Sequence, residues 1–150
     1  MIGHVFGTES GWVGLVLRVT LALVMFPHGA QKLLGWFGGY GYEGTMGYFT
    51  GQLHMPAALA FLVIFIESFG SLGLAAGFGG RLAALGVAAV MVGAVAISHW
   101  RVGFFMNWSG SLKGEGFEYH LLVLAICAVL VVAGSGRWSL DRLIAARFAS

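Results

Sequence analysis

The longest apolar stretch of this 150-residue chain contains a single carboxylate. Glu67 sits inside PAALAFLVIFIESFGSLGLAA, Pro56 to Ala76, where the other side chains are apolar or small. A run of about 20 such residues crosses a hydrocarbon core of roughly 30 Å as a helix, so Glu67 lies near mid-depth. An ionisable group there is costly and faces either protein or a wet cavity. Further groups of the same kind sit in the other apolar segments. His28 and Lys32 are four residues apart and share a helix face. Arg18, ten residues before His28, falls close to that face at about 100° per residue. His99 and Arg101 close a third apolar segment, and Glu118 and His120 open a fourth. Histidines beside a carboxylate are the parts of a proton relay, and the cations are hydrogen-bond donors to a ligand oxygen.

Four helices must position these groups. Hydrophobic residues make up 59% of the chain and charged residues 9%, against about 25% in a soluble domain. The composition reads as a single-domain integral membrane protein. The predicted spans are residues 12–34, 56–76, 81–99 and 119–133, with Gly134 as a stop. They are apolar all round and too few for a barrel, so the expected fold is an all-α membrane four-helix bundle. Gly77 to Gly80 make a tight turn, and Gly70, Gly73, Gly86 and Gly93 suit close helix approach. Met46, Phe49 and Leu53 have the spacing of an apolar face, which predicts a short interfacial helix over Glu43 to Gln52. A loop from Trp100 to Phe117 carries belt aromatics. The tail predicts an amphipathic helix capped by Ser139, with Leu140, Ile144 and Phe148 on one face.

Lys and Arg in short loops set orientation. Arg81, Arg137, Arg142 and Arg147, with Arg18, fall on the side of the termini, and Lys32, Arg101 and Lys113 on the other. Both termini are expected in the cytoplasm, with no leader to be cleaved. The basic residues are scattered, which excludes a nucleic-acid surface. The lone Cys127 excludes an internal disulfide and CxxC redox chemistry, and reads as a small core or lipid-facing residue. No HxxxH, HExxH or nucleotide-binding motif is present, so neither a metal nor a haem is expected.

At these heights His28, Lys32, His99, Arg101, Glu118 and His120 gather in the outer half, above Glu67. Random placement would spread them over both ends. The asymmetry predicts a polar pocket between the helices on the external side. Arg18 is the expected ion-pair partner of Glu67, with His28 the other candidate. The plainer reading of such a pair is that it fixes helix register. Plainer readings exist elsewhere too: His99, Arg101, Glu118 and His120 as interfacial residues, Lys32 as a snorkelling side chain, and His4 and His54 as surface residues.

Several stretches together resemble the DoxX family of small four-helix bacterial and archaeal membrane proteins. They are FPHGAQKLLG, ESFGSLGLAAGFGGRLAAL, GEGFEYHLL and GSGRWSLD, spanning about Arg18 to Asp141. Similar to the family pattern are Arg18, His28, Gly29, Lys32, Glu67, Gly70, Arg81, Glu118, Ser139 and Asp141. The resemblance implies the four-helix fold. It also implies quinone-linked redox work, because founding members look like the membrane subunit of a thiosulfate:quinone oxidoreductase. On this reading His28, Glu67 and His99 carry the chemistry, and Arg18, Lys32, Arg101, Glu118 and His120 bind the ligand. The ligand is a quinone or similar hydrophobic molecule, and a protein partner or a second copy is expected. The competing classes are a non-catalytic scaffold subunit and a small-molecule carrier. Four helices with no inverted repeat are few for alternating access.

Overall fold

The computed structural model describes residues 6–8 and 11–148; His4 and the side chain of Phe148 lie outside the described residues. Helix α1, Trp12–Leu34, is 23 residues and about 34 Å long, and ends on Gly35 in the left-handed conformation. Pro27 lies inside it and leaves the carbonyl of Leu23 without its usual donor. A short connector leads to α2, Gly41–Gly47, which continues as the wide π turn Tyr48–Gln52. Helix α3 is Ala57–Ala76 and α4 is Gly80–His99. Helix α5 is Glu118–Ala133 and α6 is Leu140–Phe148.

Helices run over the four expected segments to within one residue at each boundary. Chain direction alternates through α1, α3, α4 and α5, so residues 35–56 and 100–117 share one end, here called outer. Leu21, Met25, Leu74, Val87, Cys127 and Leu130 fill the core between the helices. Leu23, Leu82, Leu122 and Val132 are exposed on the outside, which water would not tolerate over a whole bundle and lipid does. Exposed Trp36, Tyr40, Trp100 and Trp108 ring the outer end, and Trp12 and Trp138 the inner end, as two aromatic belts. The chain is a membrane protein. Helices α1, α3 and α4 are long and apolar enough to cross a bilayer. The fourth expected span is shorter: the 16 residues of α5 rise only about 24 Å.

Irregular backbone flanks α5, and backbone groups at membrane depth need protein partners. At the inner end two arginines supply them. Arg81 donates to Gly7 O at 3.0 Å, to Val132 O at 2.7 Å and to Val131 O. Arg18, 2% exposed, donates from Nε to Ser135 O at 2.9 Å and from its terminal nitrogens to Leu74 O at 2.9 Å, Ala75 O at 2.5 Å, Trp138 O at 2.8 Å and Arg137 O at 3.3 Å. Asp141, 1% exposed, accepts from Gly79 N at 2.7 Å, Gly80 N at 2.9 Å and Ser135 Oγ at 2.6 Å. Gly77 and Gly79 take positive φ in that turn, closing the predicted hairpin. Ser139 caps α6 as expected, accepting from Arg142 N at 3.3 Å. On α6 Leu140 and Leu143 are exposed and Ile144 is half-buried; Leu140 and Ile144 belong to the expected face, and the side chain of Phe148 lies outside the described residues.

Arg18 is therefore not the partner of Glu67. Its guanidinium is spent on carbonyls of α3 and the α5–α6 turn, well below Glu67. Lysine has no planar fork of five donors to replace it. Arg18→Lys should lower stability by about 3 kcal/mol, by stranding buried carbonyls. Thermal unfolding in mild detergent checks this; an unchanged melting temperature contradicts the clamp.

Candidate functional site

Below mid-height the bundle is closed; above it the helices part. The pinch is Gly29 of α1, packed on the backbone of Glu67 and Ser68 in α3. A Cβ on Gly29 would lie 2.6 Å from Glu67 O and 2.7 Å from Ser68 Cα. Ser68 Oγ donates to Gly29 O at 3.2 Å. Lys32, almost one turn further along α1, then meets Glu67, with Nζ 2.5 Å from Oε2. Their side chains are 24% and 6% exposed. Lys32 is thus an ion-pair partner rather than a snorkelling side chain.

Above the pinch lies a cavity of about 450 Å³. This is within the usual range for small-molecule sites, about 300–1,000 Å³. Its walls are mostly apolar, including Met25, Leu59, Leu62, Ile66, Met91 and Ile97. His28, Lys32, Glu67, His99 and His120 line it as well, so five predicted site residues from all four spanning helices converge. His28 is exposed well inside α1, and its ring faces Tyr119 at 6.4 Å between centroids. Tyr119 stands 5.4 Å from His120, and His120 stands 4.3 Å from His99, so the rings form a row. The Tyr119 hydroxyl points at Met25 Sδ, 3.8 Å away.

Three predicted residues are elsewhere. Arg18 holds the inner end. Arg101 is exposed and lines no part of the cavity. Glu118 organises the outer loop, accepting from Met106 N at 2.9 Å and Trp108 Nε1 at 3.3 Å. That loop is ordered by its own side chains: Asn107 N donates to Glu115 Oε2 at 2.8 Å, and Leu112 N to Asn107 Oδ1 at 2.9 Å. It brings Met106 and Glu115 to the cavity, which spacing could not reveal. Helix α2 packs on α1, and the π turn after it carries Tyr48 and Phe49 to the cavity, which Leu53 lines as well. The predicted interfacial helix is present and serves as a lid wall.

Among the described residues three π turns occur, Tyr48–Gln52, Ile66–Gly70 and Val95–His99. Each contributes lining residues: Tyr48 and Phe49, Ile66 and Glu67, Ile97 to His99. Such turns add a residue to a helical turn and are frequent at functional sites. The opening faces sideways. Helix α3 meets α4 through its inner half, and its outer segment Ala57–Phe65 makes scarcely any contact with α4. Leu59 and Leu62 on one rim and Ile97 on the other are both exposed and cavity-lining. Among the described residues no three His, Cys, Asp or Glu side chains are grouped as a metal would require.

The chain is 28% identical over 130 residues to a Bacillus subtilis (strain 168) protein named "Putative oxidoreductase CatD", covering 87% of this chain and 85% of that protein. No solved structure matches the chain. The DoxX family model matches residues 13–100, from the start of α1 to the end of α4, and so takes in the Gly29 pinch, the Lys32–Glu67 pair and His99. The chain belongs to the DoxX family.

Proposed function

We propose that this chain is the membrane subunit of a quinone-linked oxidoreductase, and that its cavity binds the quinone ring. The observation that carries the reading is the convergence of His28, Lys32, Glu67, His99 and His120 on one apolar-walled cavity at membrane depth. Ionisable groups are rarely placed there without a use. A sideways opening suits a ligand that arrives from the bilayer. The name of the Bacillus subtilis relative supports the same class of chemistry.

In this reading the ring lies along the row of side chains. One quinone oxygen meets His28, which has the Lys32–Glu67 pair behind it; the other meets His99 and His120. Reduction takes two electrons and two protons, and yields the quinol. Protons pass to the oxygens through the histidines and Glu67. The electrons come from a second protein, since the lone Cys127 is buried in the core and the chain has no cysteine pair. The apolar tail leaves through the gap between α3 and α4. The bilayer is the bacterial or archaeal cytoplasmic membrane, with both termini on the arginine-rich cytoplasmic side.

Extraction of protein purified in mild detergent, followed by mass spectrometry, tests the proposal. Wild type should carry stoichiometric quinone. His28→Ala should reduce occupancy by about tenfold, the loss of one good hydrogen bond. Gly93→Phe should abolish it while the protein still folds, because a Cβ at Gly93 meets no atom within 4 Å and the new ring fills the cavity. An empty cavity in wild type, with a stable protein partner in the same preparation, would favour the scaffold role instead.

A second set of variants separates ligand binding from helix registration. Lys32→Met leaves a buried carboxylate unpaired and should cost about 3 kcal/mol. Lys32→Met combined with Glu67→Met should recover most of that stability. The double variant should nevertheless carry less quinone than wild type. Full occupancy in the double variant would reduce the pair to a packing device.

A further inference from the structure

One histidine in the outer part of the cavity, His99, decides which oxygen it can hold. His99 Nδ1 lies 2.8 Å from the carbonyl oxygen of Glu115. A carbonyl only accepts, so this nitrogen carries the proton. In the neutral imidazole the other nitrogen, Nε2, is then a bare acceptor. His120 lies against His99, with ring centroids 4.3 Å apart. It is 6% exposed, and its buried Nδ1 has no hydrogen-bond partner among the described residues. Both residues line the cavity. Nδ1 of His120 has no accessible surface and stays out of a ligand's reach, which leaves Nε2 of His99 as an acceptor at this end of the cavity.

We propose that Nε2 of His99 forms a hydroxyl-accepting subsite, so that the cavity holds the reduced, dihydroxy form of its ring ligand more tightly than the oxidised form. The inference rests on the quinone reading above. A hydroxyl both donates and accepts. Its O–H donates to Nε2 of His99. A quinone carbonyl can only accept. It would set its lone pairs against Nε2 of His99, or force that ring to change tautomer and release Glu115. Either way one hydrogen bond is lost, which corresponds to about a tenfold preference for the reduced form. Binding and reduction are linked. A tenfold preference raises the two-electron potential of the bound ring by about 30 mV. The subsite makes the bound quinone a better electron acceptor than the same quinone free in the bilayer.

The test compares three probes on the purified, ligand-exchanged chain under anaerobic conditions: a short-tailed prenyl benzohydroquinone, its benzoquinone, and the hydroquinone dimethyl ether. The hydroquinone should bind about tenfold more tightly than the quinone. The ether, which has acceptor oxygens and no O–H, should bind no better than the quinone. In His99→Phe the ring remains and the acceptor is gone, so the ratio should fall towards one while quinone binding persists. Should that variant fail to fold, a redox titration of quinone bound to wild type gives the same reading, with a potential above that of free quinone. Equal binding of the two redox forms, or tighter binding of the quinone, overturns the subsite and leaves the quinone reading in place. Failure of all three probes to bind overturns both.

Discussion

In lipid, apolar side chains gain nothing by leaving their solvent, so helices meet where backbones can come close. Here that place is Gly29 of α1 against Glu67 and Ser68 of α3. The contact sets the relative height of the two helices, and the height puts Lys32 opposite Glu67. It also divides the bundle. Below it α1 and α3 stay together and lead to the Arg18 clamp. Above it they diverge, and the space between them is the cavity. The π turn Ile66–Gly70 starts beside the contact and turns Glu67 towards Lys32 rather than lipid.

The two halves use polar residues in opposite ways. At the inner end the donors and acceptors are spent: Arg18 satisfies carbonyls of α3 and of the α5–α6 turn, and Asp141 takes two backbone N–H groups and a hydroxyl. They make the break between α5 and α6 tolerable at membrane depth, where water cannot serve. At the outer end capacity is left over. His99 uses one ring nitrogen on Glu115 and keeps the other. Residue type alone does not separate these roles, because Arg18 and His28 are equally unexpected in a span. The difference is whether the protein itself uses up the hydrogen-bonding groups.

This explains what the sequence could and could not reveal. The spans, the Gly77–Gly80 hairpin, the Ser139 cap and the outer gathering of His28, Lys32, His99 and His120 follow from hydropathy and from counting residues along antiparallel helices. The partner of Glu67 did not follow. The ten-residue spacing put Arg18 on the face of His28, but depth against a neighbouring helix depends on where the two cross, and Gly29 sets that crossing through a tertiary contact. The π turns leave no mark in a periodic pattern. Glu118 looked like a site residue because it opens α5 at the right height, yet the loop it serves folds over it and sends Glu115 to the cavity instead. Such loop folding depends on specific side-chain bonds, and spacing carries no record of them.

The electrostatics of the cavity narrow what it suits. Lys32 and Glu67 cancel, so neither a lone anion nor a lone cation at the floor attracts a charged solute. A charged ligand would have to give up its hydration for walls that are mostly apolar, with no net charge below to compensate. A neutral ring with polar oxygens fits better. Its edges would meet histidines and its faces Met25, Ile66 and Met91, and an apolar tail would pass between Leu62 and Ile97 into lipid. The same argument weighs against a carrier of hydrophilic solutes. The opening leads sideways between α3 and α4, and a route that begins and ends in the bilayer serves a lipid-soluble molecule.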